Sequence, residues 1–174
     1  MSKLINLTID GVNVQAEEGE TVLSAAKRIN IDIPTLCFLK EVNATGDCRM
    51  CVVEIEGRRG FIPSCITGVE EGMKVTTNKP EIEETRKIML DLLLSAHDKK
   101  CLTCVRAGNC ELQELAEKFG ITEIEYPGEE VKKHIDDKSP IVRDTGKCIM
   151  CKRCVSTCKE IQEVSAIDVV RKRF

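Results

Sequence analysis

Apolar and polar residues alternate along "LINLTID" from Leu4 and again along "VNVQAEEG" from Val12, with Gly11 between the two runs. That period of two predicts a β-hairpin turning at Gly11. Thr21 stands before "VLSAAKRIN", so its hydroxyl is placed to cap a helix that stops before "IDIP". Alternation returns in "CVVEIEG" and "MKVTTN", which read as further strands. A ββαβ order of this kind suits an open sheet packed on one helix within residues 1–79.

The period changes at Asn78. In "NKPEIEETRKIMLDLLLSAH" a capping residue and an early proline precede Ile82, Thr85, Ile88, Met89, Leu92, Leu93 and Ala96 at helical spacing. This predicts an amphipathic helix over 80–96 that delivers His97 at its end. A second helix, "CELQELAEKFG", stops at Gly120. Residues 121–146 are charged and irregular, with Pro127, Gly128 and Pro140, and read as a linker over the surface. The last block, 147–174, reads as a cysteine-led short helix and a strand. No fixed-period repeat or low-complexity run interrupts these segments.

Composition narrows what holds them together. The 174 residues are 42% hydrophobic but only 3% aromatic, with no Trp and with 11 Cys. So few large rings beside so many thiols point to cohesion from something other than apolar packing. The net charge of -3 is spread along the chain, and nothing in it suggests nucleic acid as the main partner. "MSKLINLTIDG" lacks the apolar core of a secretory signal, and "IMLDLLLSA" is short and broken by Asp91. The expectation is a soluble, cytoplasmic chain without a membrane span. An odd number of cysteines in a reducing compartment cannot pair off as disulfides, so metal ligation is the leading account.

The cysteines fall into three groups without remainder. Cys37, Cys48, Cys51 and Cys65 include the close pair of "GDCRMC". Four thiolates on a long loop returning to a strand can surround a 2Fe-2S core, and the tight pair lets backbone N–H groups point at sulfur. Gly46 permits that approach, and Arg49 is expected to point outward. A four-cysteine zinc site is the alternative, and Cys37 and Cys65 as small core residues a further one. Cys101, Cys104 and Cys110 leave a 4Fe-4S cubane one ligand short, and the imidazole of His97 would complete the set. The plainer role for His97 is a charge at a helix end, and His134 in the linker reads as a solvated side chain. Cys148, Cys151, Cys154 and Cys158 form the bacterial ferredoxin run, whose fourth cysteine serves a second cubane; Lys159 stands where proline usually follows. The remaining ligands would lie beyond Phe174, so the sequence is expected to be part of a longer protein, with "RKRF" bending toward it.

Taken in order, "GDCRMC", "HDKKCLTCVRAGNC" and "CIMCKRCVSTCKEIQ" resemble the N-terminal region shared by iron-only (FeFe) hydrogenase catalytic subunits, the large iron–sulfur subunit of respiratory complex I and NAD-linked formate dehydrogenases. The resemblance covers nearly the whole chain. It implies an α+β architecture: an N-terminal β-grasp 2Fe-2S ferredoxin domain, a helical 4Fe-4S domain, and the start of a bacterial-type ferredoxin domain. Carried over, Cys37, Cys48, Cys51 and Cys65 resemble the 2Fe-2S ligands, and His97, Cys101, Cys104 and Cys110 resemble the ligands of a 4Fe-4S cluster. Cys148, Cys151 and Cys154 resemble ligands of a further 4Fe-4S cluster, and Cys158 a ligand of a second. Asp98 stands where complex I members often carry proline after the histidine, which favours the hydrogenase side.

The implied function is electron relay, possessing no catalytic residue of its own, between a hydrogenase active site and a flavin-containing NAD(P)H-oxidising partner or ferredoxin in a hetero-oligomer. The alternatives are the same segment of a formate dehydrogenase or complex I subunit, a stand-alone ferredoxin-like subunit, and a zinc-stapled interaction module.

Overall fold

A computed structural model describes residues 3–128, 135–136, 138 and 142–169. Strand β1 (Leu4–Ile9) turns at Asp10 and Gly11, both at positive φ, into β2 (Val12–Glu17), with Leu4 opposite Glu17 and Ile9 opposite Val12. Two residues of positive φ give the turn whose twist matches the flanking strands. Helix α1 (Val22–Arg28) follows, and the Thr21 hydroxyl accepts from the Ser24 N–H at 3.2 Å. Strands β3 (Val52–Ile55), β4 (Ile62–Pro63) and β5 (Lys74–Thr76) complete a sheet of order β2-β1-β5-β3-β4. Only the β1–β5 pair is parallel. Ile5, Leu7 and Ile9 of β1 point inward onto Val22, Ala25 and Ala26 of α1, with Val53, Ile55 and Val75 closing the core. β4 adds to the expected ββαβ order: two residues are too short to show alternation, and Pro63 fits the sheet edge it occupies.

Helix α2 (Pro80–Ser95) begins one residue later than an Asn78 cap would place it, with Lys79 at the N-cap and no side-chain capping bond. Its buried residues are Ile82, Arg86, Leu90, Asp91 and Leu94, whereas Leu92 is exposed. The apolar periodicity therefore points to a face rotated from the true one, because two polar residues, Arg86 through its Nη atoms and Asp91 through its carboxylate, are hydrogen-bonded inside. Helix α3 (Glu111–Lys118) ends as expected, with Gly120 at φ +63°. Leu90, Leu94 and Leu112 from these helices pack with Leu36, Cys37, Cys48 and Met50 into a second core, so the first cysteine loop is buried between the sheet domain and the helices.

The start of the segment expected to be an irregular linker is fastened down at Glu125 and Tyr126. Asp91 accepts from the N–H groups of Glu125 (3.1 Å) and Tyr126 (2.9 Å). Further on, β6 (Ile135–Asp136) pairs antiparallel with β7 (Arg143–Asp144), ahead of a 3-10 turn at Thr145–Lys147. Helix α4 (Arg153–Ser156) runs into a π-type turn, Thr157–Ile161. Among the described residues after it, up to 169, the expected strand does not form. His134 and "RKRF" lie outside the described residues. No helix among the described residues is long and apolar enough to cross a membrane.

Candidate metal centres

Cys37 lies on the loop after α1, Cys48 and Cys51 flank a tight turn that leads into β3, and Cys65 follows β4. All four are buried and free of disulfide. The four thiols influence one another in the order Cys48, Cys37, Cys65, Cys51. Cys37 N donates to Cys48 Sγ at 3.4 Å, and the backbone amides of Asp47, Cys48 and Met50 favour the ionised forms of the Cys37 and Cys48 sulfurs. The turn needs its glycine. Gly46 has φ +67°, and a Cβ there would lie 3.0 Å from Ile66 Cδ1. Arg49, also at positive φ, points to solvent as expected. Ser64 locks the far side, donating from both N–H (3.0 Å) and hydroxyl (2.8 Å) to the Cys51 carbonyl oxygen.

Neighbouring sulfurs shift one another in opposite directions. Hydrogen bonds from Cys48 and Cys65 pull the Cys37 thiol down, and one from Cys65 lowers Cys51. Cys48 and Cys65 are pushed up, first by those same bonds and also by burial. Four thiolates side by side require a compensating positive charge, which bound metal supplies as it displaces the protons. Among the described residues no group of three or more His, Cys, Asp or Glu is arranged to hold a single metal ion. Paired buried sulfurs with N–H donors suit a core that divides its ligands between two irons, so this donor set fits a 2Fe-2S cluster.

One cation does stand close by. Arg86 of α2 is 3% exposed, donates from Nη2 to the Val52 carbonyl oxygen (2.8 Å) and pairs through Nη1 with Glu83 (2.6 Å). Burial lowers its pKa, while Glu83 and the Cys51 sulfur favour its charge.

The second group occupies the α2–α3 loop. His97 follows the α2 C-cap, donates its N–H to the Leu94 carbonyl oxygen at 3.1 Å, and has a buried Nδ1. Cys101 opens a 3-10 turn, Cys101–Thr103, and Cys104 closes it; Cys104 Sγ accepts from the Arg106 N–H at 3.5 Å. Cys110 is the N-cap of α3. Cys101 is exposed and the others are half-buried, so this loop brings its four donors onto one segment without enclosing them.

In the third group, Cys148 and Cys154 are exposed, and Cys151 and Cys158 half-buried. Cys148 Sγ accepts from the Met150 N–H at 3.4 Å, and burial pushes the Cys151 thiol up. Met150 and Lys152 both take positive φ, which folds the loop tightly around Cys151. This loop docks on the first group. Asn43 Nδ2 donates to the carbonyl oxygens of both Cys37 (2.6 Å) and Cys151 (2.9 Å). Arg153 donates to the Phe38 carbonyl oxygen (3.0 Å) and pairs with Glu111 (2.8 Å), the residue after Cys110. Asn43, Arg86 and Arg153 carry no signal in the cysteine spacing; Asn43 sits in a polar stretch that reads as an ordinary turn.

Residues 2–80 match a family described as a 2Fe-2S iron-sulfur cluster binding domain. Residues 86–125, which include His97, Cys101, Cys104 and Cys110, match the NADH-ubiquinone oxidoreductase-G iron-sulfur binding region. The chain is 46% identical to the NADP-reducing hydrogenase subunit HndD of Solidesulfovibrio fructosivorans, over 98% of its own length and 30% of that relative. It is 42% identical to an NADH-quinone oxidoreductase subunit of Rhizobium meliloti, over 97% of this chain and 20% of the relative. The chain thus spans less than a third of either. A solved chain of an NAD+-reducing NiFe hydrogenase in the H2-reduced state superposes with a TM-score of 0.88 at 29% identity, covering 97% of this chain and 71% of that one.

Proposed function

We propose that this chain belongs to the iron–sulfur region shared by NAD(P)-linked hydrogenase subunits and the large iron–sulfur subunit of complex I, and that its residues divide the task as follows. The region carries 2Fe-2S and 4Fe-4S clusters and relays electrons through them. Cys37, Cys48, Cys51 and Cys65 hold the 2Fe-2S cluster in a β-grasp domain, residues 1–79. His97, Cys101, Cys104 and Cys110 hold a 4Fe-4S cluster in a helical domain, 80–120, and 121–146 connects it onward. Cys148, Cys151 and Cys154 hold a further 4Fe-4S cluster in a ferredoxin-type domain from 147, and Cys158 is a ligand of a second. The observation that carries this reading is the nest of four buried, unbridged sulfurs lying within the stretch that matches the 2Fe-2S family.

Bound clusters supply one-electron chemistry. The chain's own residues exclude water, aim N–H groups at sulfur and fix the spacing of the centres; none makes or breaks a substrate bond. In the whole protein the segment serves a cytoplasmic FeFe-hydrogenase subunit, within a hetero-oligomer, that exchanges electrons with a flavin-containing NAD(P)H-oxidising partner or ferredoxin. A second reading draws on one observation: the chain spans 71% of the NiFe hydrogenase chain, against 30% of HndD. There the relay would be a subunit in its own right, with catalysis on a partner. Immunoblotting of source-cell extract separates the two: a band several times the 19.4 kDa of this chain supports the first, and one only modestly larger supports the second.

Iron and acid-labile sulfide analysis with EPR on anaerobically isolated protein tests the ligand assignment. The expected result is a 2Fe-2S signal together with at least one cubane signal. A colourless, zinc-loaded protein without sulfide overturns it.

A further inference from the structure

Asn43 is 2% exposed, and both of its amide hydrogens are committed. They go to the carbonyl oxygens of Cys37 and Cys151, at 2.6 and 2.9 Å, while Oδ1 accepts from the Ser156 hydroxyl at 2.7 Å. A single nitrogen atom therefore links two cysteines of different groups, and Asn43 and Cys151 are 108 positions apart. From one sulfur to the other the path runs through each cysteine's own Cβ, Cα and carbonyl, with only Nδ2 between. A buried amide is costly unless fully paired, and full pairing fixes one register. Arg153 and Lys152 clamp the same junction from its rim, through the Phe38 carbonyl oxygen (3.0 Å) and Asp47 (3.0 Å).

We propose that Asn43 is a positioning residue for electron transfer between the first and third cysteine groups. It fixes their separation and supplies the hydrogen-bonded route between Cys37 and Cys151. With clusters bound, one electron would pass from the reduced centre on one side to the oxidised centre on the other, and Asn43 would move no proton and make or break no bond. This rests on the ligand assignment above.

The test uses the full chain, isolated anaerobically with its clusters. Asn43→Leu keeps the side-chain shape and removes all three hydrogen bonds; Asn43→Asp turns the bridging donor into an acceptor that faces two carbonyl oxygens. Both are expected to retain the 2Fe-2S EPR signal but to lose its broadening by the reduced cubane, and to equilibrate electrons between the two more slowly. Both should also speed amide hydrogen exchange in residues 148–156, a readout that does not depend on cluster content. Unchanged broadening and unchanged exchange in these variants overturn the proposal, as does a wild-type protein whose filled centres show no magnetic interaction. Should the variants fail to fold, the wild-type spectrum still decides. Absent iron and sulfide in the wild type would instead count against the cofactor reading, which keeps the two failures distinct.

Discussion

The guanidinium of Arg86 lies against the backbone of Val52, with Nη2 donating to its carbonyl oxygen at 2.8 Å, one residue beyond Cys51. A cation held there out of solvent favours the more negative, reduced state of whatever the Cys51 sulfur ligates. Arg86→Met is therefore expected to lower the 2Fe-2S midpoint potential, read by EPR-monitored redox titration. It also strands the Val52 carbonyl oxygen, at a cost of about 1–3 kcal/mol in thermal or denaturant unfolding. Arg86→Lys should keep most of the potential and lose part of the stability. A potential that stays put in the methionine variant would mean the charge does not reach the cluster.

Gly46 and Gly57 make a matched pair for the cysteine turn. Both have positive φ, but a Cβ at Gly46 meets Ile66 Cδ1 at 3.0 Å and Pro63 at 3.4 Å, whereas one at Gly57 meets nothing within 4 Å. Alanine at either adds left-handed strain of about 1 kcal/mol. Only Gly46→Ala is expected to push the turn that carries Cys48 off its site and reduce 2Fe-2S content, measured as iron and sulfide per chain. Equal cluster loss in both variants would point to strain rather than crowding.

These contrasts also show where the sequence is legible. The Gly11 hairpin, the Gly120 helix stop and the outward Arg49 follow from local rules about φ and alternation, so the chain displays them openly. Arg86, Asp91 and Asn43 do not, because each is a polar residue made tolerable inside by backbone partners 34, 34 and 108 positions away. Apolar periodicity alone rejects them, and that is why it rotates the buried face of α2. The cysteine groups are visible as spacing; that the first and third touch is a property of the folded junction at Asn43 and has no counterpart in spacing.

Asp91 supports the connection after α3 in a way that can be removed cleanly. Its two carboxylate oxygens each accept a backbone N–H, from Glu125 at 3.1 Å and Tyr126 at 2.9 Å. Asp91→Ala leaves those donors without a partner and is expected to destabilise by about 1–3 kcal/mol. The first consequence should be local: faster proteolysis within residues 121–128, with 2Fe-2S content retained. Loss of the 2Fe-2S cluster in step with the nicking would show that α2 cannot hold the first site without this tether.

The proposed His97 ligand would distinguish the second centre from an all-cysteine one. Three thiolates and a neutral imidazole leave a cubane less negative than four thiolates would, so its reduced state is easier to reach. His97→Cys adds one negative charge to the ligand set and is expected to lower that centre's potential and alter its EPR line shape. Because the Cys37 group draws none of its donors from the α2–α3 loop, its 2Fe-2S signal should stay where it is. His97→Ala is expected to lose the second centre's signal on isolation, again with the first intact. If the cysteine variant leaves the potential and line shape of every cubane unchanged, His97 is not a ligand, and its place at the end of α2 reduces to a helix-end contact.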